Sequence, residues 1–212
     1  MESEESREYS LKGRTVGMRH CGKEFTDELQ KVLAHRERRV IDHPGLSHAA
    51  VLVPLFNKQE DCHILFTRRT QHVKHHKGQI SFPGGVFDED DQDLRKTALR
   101  EAFEEIGLEE KDVHIIGGLD DIVTVTDFIV TPFVAYFPYP YRFKLSEIEI
   151  DELIEVPLSS LLDPECFSER ENDDEYGKRT IYTYQYRKYA IWGATALILK
   201  QLLELIPTSK LP

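Results

Sequence analysis

The chain has 212 residues, with 27 Lys+Arg against 38 Asp+Glu and a formal net charge of −11. That balance excludes a generally basic nucleic-acid binder, although not a local basic patch. With 40% hydrophobic and 31% charged residues the composition is that of a soluble globular protein able to bury a core, and no apolar run approaches the roughly 18 residues of a membrane helix.

Residues 1–22 read as a polar lead-in, acidic at the start and unlike a secretory signal. Phe25, Leu29, Val32 and Leu33 recur at helical spacing, which predicts a helix over 23–38. Two β-prone runs, 49–56 and 63–67, flank a polar break and predict a hairpin. A basic, His-rich segment (68–79) leads to a short strand at 80–82 and a Pro83-Gly84-Gly85 turn. The clearest helix runs from about Asp93 to Ile106 and stops at Gly107. Strands are predicted at 113–117, 120–126, 128–137, 152–156 and 180–186, a loop over 163–178, and a last helix at 192–205. This irregular interleaving predicts one α/β (α+β) domain with a mixed sheet over 23–206, followed by a tail at 207–212. Cys21, Cys62 and Cys166 are odd in number and far apart, and predict neither a disulfide framework nor a zinc site. The expected compartment is the cytoplasm.

The helix DLRKTALREAFEEIG carries the chemistry. At about 100° per residue, Ala98, Leu99, Ala102, Phe103 and Ile106 share a face expected to be buried. Glu101, Glu104 and Glu105 share an arc of roughly 100° beside it. Such an arc is most simply a solvated face. The nearby glycine turn, which admits close approach of a ligand, favours the other reading. Three converging carboxylates form a hard oxygen site suited to Mg²⁺ or Mn²⁺, and that ion would bring an anionic phosphate substrate to an acidic surface.

Residues Gly84 to Leu108, GG…REAFEEIGL, resemble the signature box of the Nudix hydrolases, which cleave a nucleoside diphosphate linked to another group. The match includes Gly85, Arg100, Glu101, Glu104, Glu105, Gly107 and Leu108. It departs twice from the general box. Gly85 lies fifteen residues before Arg100, one more than usual, and Gln92 stands where the box has its first Glu. Asp88 to Asp91 are the nearby acids able to replace that Glu.

Upstream, ILFTRRTQHVKHHKGQISFPGG (64–85) resembles the extra motif of the coenzyme A pyrophosphatase branch, through Thr67, Arg69, Gly78, Phe82, Pro83, Gly84 and Gly85. Lys74 stands where that motif has an Arg, and Thr97 to Ala102 and two later segments, 149–162 and 191–196, agree with the branch. The resemblance implies a Nudix-type α/β/α sandwich and a metal-dependent hydrolase cleaving coenzyme A to 3′,5′-ADP and 4′-phosphopantetheine. It implies metal ligands Glu101, Glu104 and Glu105, with Arg100 orienting a carboxylate, most simply Glu104. The general base falls to Glu101, Glu104 or, from a distant loop, Glu149 or Glu152. Gly84 and Gly85 approach the substrate, and Arg69 and Lys74 have a phosphate or structural role. Arg68, Arg69, Lys74, His75, His76 and Lys77 form a local basic cluster in an acidic chain. His72, His75 and His76 individually read as solvated.

The rival readings are a Nudix pyrophosphatase for ADP-ribose, NADH or an acyl-CoA, and a non-catalytic nucleotide-binding domain. The three intact helix glutamates disfavour the second. The expected partner is the small-molecule substrate, without nucleic acid or membrane; the tyrosine-rich segments leave a homodimer surface open. Trp192 reads as a packing residue for the last helix. Ser209-Lys210-Leu211 precedes Pro212, so the peroxisomal tripeptide is read as coincidence.

Overall fold

The structure is a computed structural model and describes residues 21–71, 77–174 and 177–206. His72, Lys74, His75 and His76, with most of the predicted lead-in and the 207–212 tail, lie outside the described residues.

The elements in chain order are α1 (Lys23–His35), β1 (Ser47–Lys58), β2 (Asp61–Arg69), β3 (Ile80–Ser81), β4 (Gly84–Val86) and α2 (Leu94–Ile106). There follow β5 (His114–Gly118), β6 (Ile122–Val123), β7 (Phe128–Tyr136), β8 (Ile150–Pro157) and α3 (Leu158–Leu161). The chain closes with β9 (Phe167–Asp174), β10 (Gly177–Tyr186), β11 (Tyr189–Trp192) and α4 (Gly193–Leu205).

The expected hairpin forms. Gln59 and Glu60, at φ 51° and 63°, make a two-residue turn whose hand matches strand twist, and Lys58 pairs with Asp61. β1 then pairs in parallel with β7, from Ser47↔Phe128 to Leu55↔Tyr136, through a connection that carries α2. The resulting sheet is mixed, in the order β3-β2-β1-β7-β5, with β4 against β1, β6 against β7 and β8 against β2. Its central strands are apolar on both faces because both faces are covered. Ala50, Leu52, Phe56 and Leu65 meet Ala98, Leu99, Ala102 and Ile106 of α2. Val53, Leu55, Ile64 and Phe66 face a second core shared with Leu29 and Leu33 of α1 and with Ile198, Leu199, Leu202 and Leu203 of α4. The expected sandwich of helix, mixed sheet and helix is therefore present.

Several expectations are corrected. The first helix ends at His35, and Arg36 is already extended. Arg36 and Arg38 instead pin the following segment to Asp120 and Asp121 at 2.7 and 2.8 Å. The strand expected at 120–126 is reduced to Ile122–Val123, after which the chain turns through Asp127 at φ 62°. The loop expected at 163–178 contains β9, which pairs with β10 in a separate three-stranded sheet. Its charged residues hid it; Phe167 anchors it against Tyr182 and Tyr184. Of the alternating tyrosines only Tyr184 is fully buried, and Trp192 is 49% exposed rather than packed. Tyr141 and Phe143 pack on Phe137, and Tyr139 on Phe56, beside the α2 core.

The cysteine expectation is overturned. Cys21 and Cys62, both buried, are joined as a disulfide with Cα atoms 4.9 Å apart, and Cys166 stays free. The bridge ties the start of α1 to β2 across a sequence separation of 41 residues. Closing a loop of that length stabilises by about 3–4 kcal/mol in the chain-entropy account. We expect Cys21→Ser to lower the melting temperature of the oxidised protein and to leave it insensitive to reductant, as read by thermal denaturation with and without dithiothreitol.

Candidate active site

The site forms where α2 crosses the β3–β4 turn. Asp93 starts the helix by accepting the Lys96 N–H at 2.9 Å. Gly107 ends it in the left-handed region at φ 69°, with its N–H on the Phe103 carbonyl at 2.8 Å. The three glutamates of the helix meet three different environments. Glu104 is open to solvent, with its side chain 55% exposed. Glu101 is largely covered (17%), and Glu105 is buried (2%). Phe103, expected in the buried face, is 55% exposed. It and Glu105 flank the apolar stripe on opposite sides, and the sheet covers only the Glu105 flank.

The two turn glycines act in different ways. A side chain on Gly84, at φ 156°, would place its Cβ 2.3 Å from the Ala50 carbonyl oxygen. A Cβ on Gly85 would fall 2.5 Å from the Glu101 carboxylate. Gly84 thus lets β4 lie against β1, and Gly85 makes room for Glu101.

Arg100 organises this end of the helix. Its Nε and Nη2 donate to both oxygens of Asp91, at 3.0 and 3.1 Å. Nη1 donates to Glu101 at 2.8 Å and to Glu104 at 3.0 Å, and Nη2 also reaches the Val86 carbonyl at 3.1 Å. The expected contact of Arg100 with Glu104 is present, and its bidentate partner is Asp91. Asp91 is also held by the Thr97 hydroxyl at 2.9 Å and the Asp88 N–H at 3.1 Å. The Arg100 hydrogen bond holds its carboxyl at about 2, below the usual range. Of the four acids Asp88 to Asp91, Asp91 is the one paired with Arg100, one position before Gln92.

The upstream arginines are engaged by carboxylates. Arg69 Nη1 donates to Glu105 at 3.2 Å, and its Nη2 lies 3.7 Å from Glu149. Arg68 projects from the other face of β2 and pairs with Asp151 and Glu152. Glu152 also accepts the Tyr189 hydroxyl at 2.6 Å, so it is tied to the small sheet. Glu149, by contrast, faces the site. It acts electrostatically on both Glu101 and Glu105, and both carboxyls are pushed up, chiefly by burial, Glu105 to about 8. The structure thus brings together Arg69, Gly84, Gly85, Arg100, Glu101, Glu104, Glu105 and Glu149.

Among the described residues no group of three or more His, Cys, Asp or Glu is arranged as a ready metal cage. Arg100 holds Glu101 and Glu104 in ion pairs. The donor set nevertheless suits a hard divalent cation, being all carboxylate. Glu105 Oε2 is also buried without a hydrogen-bond partner, which leaves a lone pair aimed at no protein donor.

Hollows open on two sides of the site. One of about 510 Å³ lies along the outer side of α2, lined by Leu99, Phe103 and Lys96, and reaches Arg100 and Asp91 but not Glu101 or Glu105. The other, about 880 Å³, opens beside Glu149 between Thr70, Gln71 and the segment 144–151.

The NUDIX domain family matches residues 46–176, more than half of the chain. The chain belongs to the Nudix hydrolase family. It is 33% identical over 181 residues to the uncharacterized Nudix hydrolase NudL of Photorhabdus laumondii, covering 85% of this chain and 95% of that protein. The NudL protein of an Enterobacter species is 34% identical over 179 residues, 84% of this chain and 91% of that one. Among solved structures, a Caenorhabditis elegans Ap4A hydrolase binary complex aligns with 53% of this chain and 81% of its own, at 20% identity and a TM-score of 0.45. Membership in this family indicates pyrophosphohydrolase activity, and its members generally use divalent metal cations. Among the described residues no helix is long and apolar enough to cross a membrane.

Proposed function

We propose that this Nudix hydrolase cleaves the diphosphate of coenzyme A, or of a coenzyme A derivative, to 3′,5′-ADP and 4′-phosphopantetheine. The observation that carries hydrolysis is the convergence of Glu101, Glu105 and Glu149 at the Gly84-Gly85 turn. The substrate class is supported by the resemblance of segment 64–85, whose Arg69 and glycines stand at that turn.

Glu101, Glu104 and Glu105 would hold Mg²⁺ or Mn²⁺. Such an ion supplies charge neutralisation for the diphosphate and eases deprotonation of an attacking water. Arg100, clamped by Asp91, sets the direction of Glu101 and Glu104. Arg69 braces Glu105 and Glu149, the structural half of its expected role. Glu149, 45% exposed and not committed to the small sheet, is the best-placed group to take the proton from water. Lys74 keeps its proposed phosphate role by resemblance alone. The proposed compartment is the cytoplasm, in tension with the Cys21–Cys62 bridge, since disulfides persist mainly in oxidising compartments.

The test is a product mass spectrum from coenzyme A with Mg²⁺ or Mn²⁺, run beside dephospho-coenzyme A, ADP-ribose and NADH. We expect 3′,5′-ADP and 4′-phosphopantetheine, loss of turnover with EDTA, and a fall of about 100-fold for Glu104→Gln. Preferential cleavage of ADP-ribose or NADH would transfer the assignment to that substrate. Nucleotide binding without product over hours would leave a binding domain.

A further inference from the structure

An anionic substrate meets few unclaimed cations at this site. Arg68, Arg69 and Arg100 are all held by carboxylates of the chain itself. Lys144 differs. It is exposed, lines the cavity of about 880 Å³ beside Glu149, and makes no ion pair among the described residues.

Its position is fixed by the catalytic helix. The Lys144 N–H donates to the Ile106 carbonyl at 3.0 Å, and the Ser146 N–H to that of Glu105 at 2.9 Å. These bonds satisfy carbonyls that the end of α2 leaves free. Gly107 permits the approach, since a Cβ there would stand 2.9 Å from Lys144 Cβ. Lys144 is therefore anchored through its backbone to the last turn of α2, the turn that carries Glu104 and Glu105. The other end of the cavity is joined to the site by the Thr70 N–H, which donates to the Glu149 carbonyl at 2.8 Å.

The lining is mixed. Leu145 and Ile150 are apolar, Thr70 and Gln71 polar. Of the two acids, Asp151 is paired with Arg68, which leaves Glu147 as the charge opposing Lys144.

We propose that this cavity receives a second anionic group of the substrate, a phosphate monoester separate from the diphosphate that is cleaved, and that Lys144 binds it. The inference rests on the diphosphatase reading above and places recognition of the extra phosphate on a residue the sequence did not single out. Leu145, partly exposed, then contacts the uncharged part of the same substrate.

The test measures binding by calorimetry, with the full chain and Mg²⁺, of adenosine 3′,5′-bisphosphate against AMP. Wild type is expected to prefer the bisphosphate by about fivefold. Lys144→Gln should abolish that preference and leave AMP binding unchanged, while Glu147→Gln should increase it. Both side chains are exposed, and unchanged melting temperatures confirm intact folding. An unchanged preference in Lys144→Gln, equal losses for both ligands, or no preference in wild type would overturn the assignment. The two readings fail separately. If coenzyme A is not cleaved but Lys144→Gln erases the preference, the substrate reading falls and the Lys144 assignment stands. If coenzyme A is cleaved and the preference is unmoved, only the Lys144 assignment falls.

Discussion

Gly85→Ala is expected to lower kcat by about 100-fold while leaving the melting temperature within a few degrees of wild type. The new Cβ would sit 2.5 Å from the Glu101 carboxylate, so that carboxylate must move. It is the far end of a flexible side chain, and moving it costs little stability. The same displacement takes Glu101 out of the arrangement set by Arg100, and misplacement by about 1 Å is enough to lose two orders of magnitude in rate. The neighbouring substitution separates the two effects. At Gly84 a Cβ would meet the Ala50 carbonyl oxygen at 2.3 Å and Val51 Cα at 2.6 Å, and φ is 156°. Neither backbone atom can yield without opening β1 from β4. Gly84→Ala should therefore fail in stability, seen as a large drop in melting temperature. Normal activity in Gly85→Ala would show that Glu101 does not act where the structure places it.

Asp91→Asn is expected to weaken both the fold and the reaction. The variant keeps the shape of the side chain but removes the charge that the Arg100 guanidinium grips at two points. Asp91 is 5% exposed and Arg100 30%, so the loss should be about 2–3 kcal/mol, at the lower end for breaking a buried pair because Arg100 can recover some solvent. Activity should fall about tenfold or more, since Glu101 and Glu104 lose a fixed partner. The pH dependence follows from the sign of the shift. Asp91 titrates at about 2 when folded, below its unfolded value, so its contribution is complete above an unfolded Asp pKa of about 4. It fades as pH falls toward 2. Thermal melts of wild type and variant should differ at pH 7 and converge toward pH 2. A gap independent of pH would mean that Asp91 acts through packing and not through its charge.

Much of this architecture follows from local pattern. The apolar runs at β1 and β2 with a polar two-residue break can hardly form anything but a hairpin, and the 94–106 helix is bounded by Asp93 and Gly107 on the principles that cap any helix. β9 was hidden because Glu169 and Glu171 alternate with other polar residues and bury almost nothing. Strand formation there depends on β10, which lies beyond it in the chain. The disulfide was hidden for a related reason: spacing says nothing about two cysteines until α1 and β2 are packed.

The candidate site divides the same way. The residue types and their order, REAFEEIG after a glycine pair, were sufficient to identify a carboxylate-bearing helix and a glycine turn. They could not distinguish Glu101, Glu104 and Glu105, which lie on one arc of an isolated helix. Only the sheet edge at Gly84 and Arg69 buries Glu105, largely covers Glu101 and leaves Glu104 in water. Nor could they choose Asp91 among four neighbouring acids, or free Glu149 and commit Glu152, since those choices depend on where Arg100, Arg69 and Tyr189 arrive from distant elements.

The opening charge of −11 is likewise resolved in space. By itself the sequence determined the presence of an acidic helix and a basic segment close by. Tertiary structure decided that Arg68, Arg69 and Arg100 neutralise the chain's own carboxylates, leaving Lys144 without an ion pair among the described residues at the cavity. The reason is physical: periodicity sets what a segment can form, while burial and charge pairing exist only once segments distant in sequence have met.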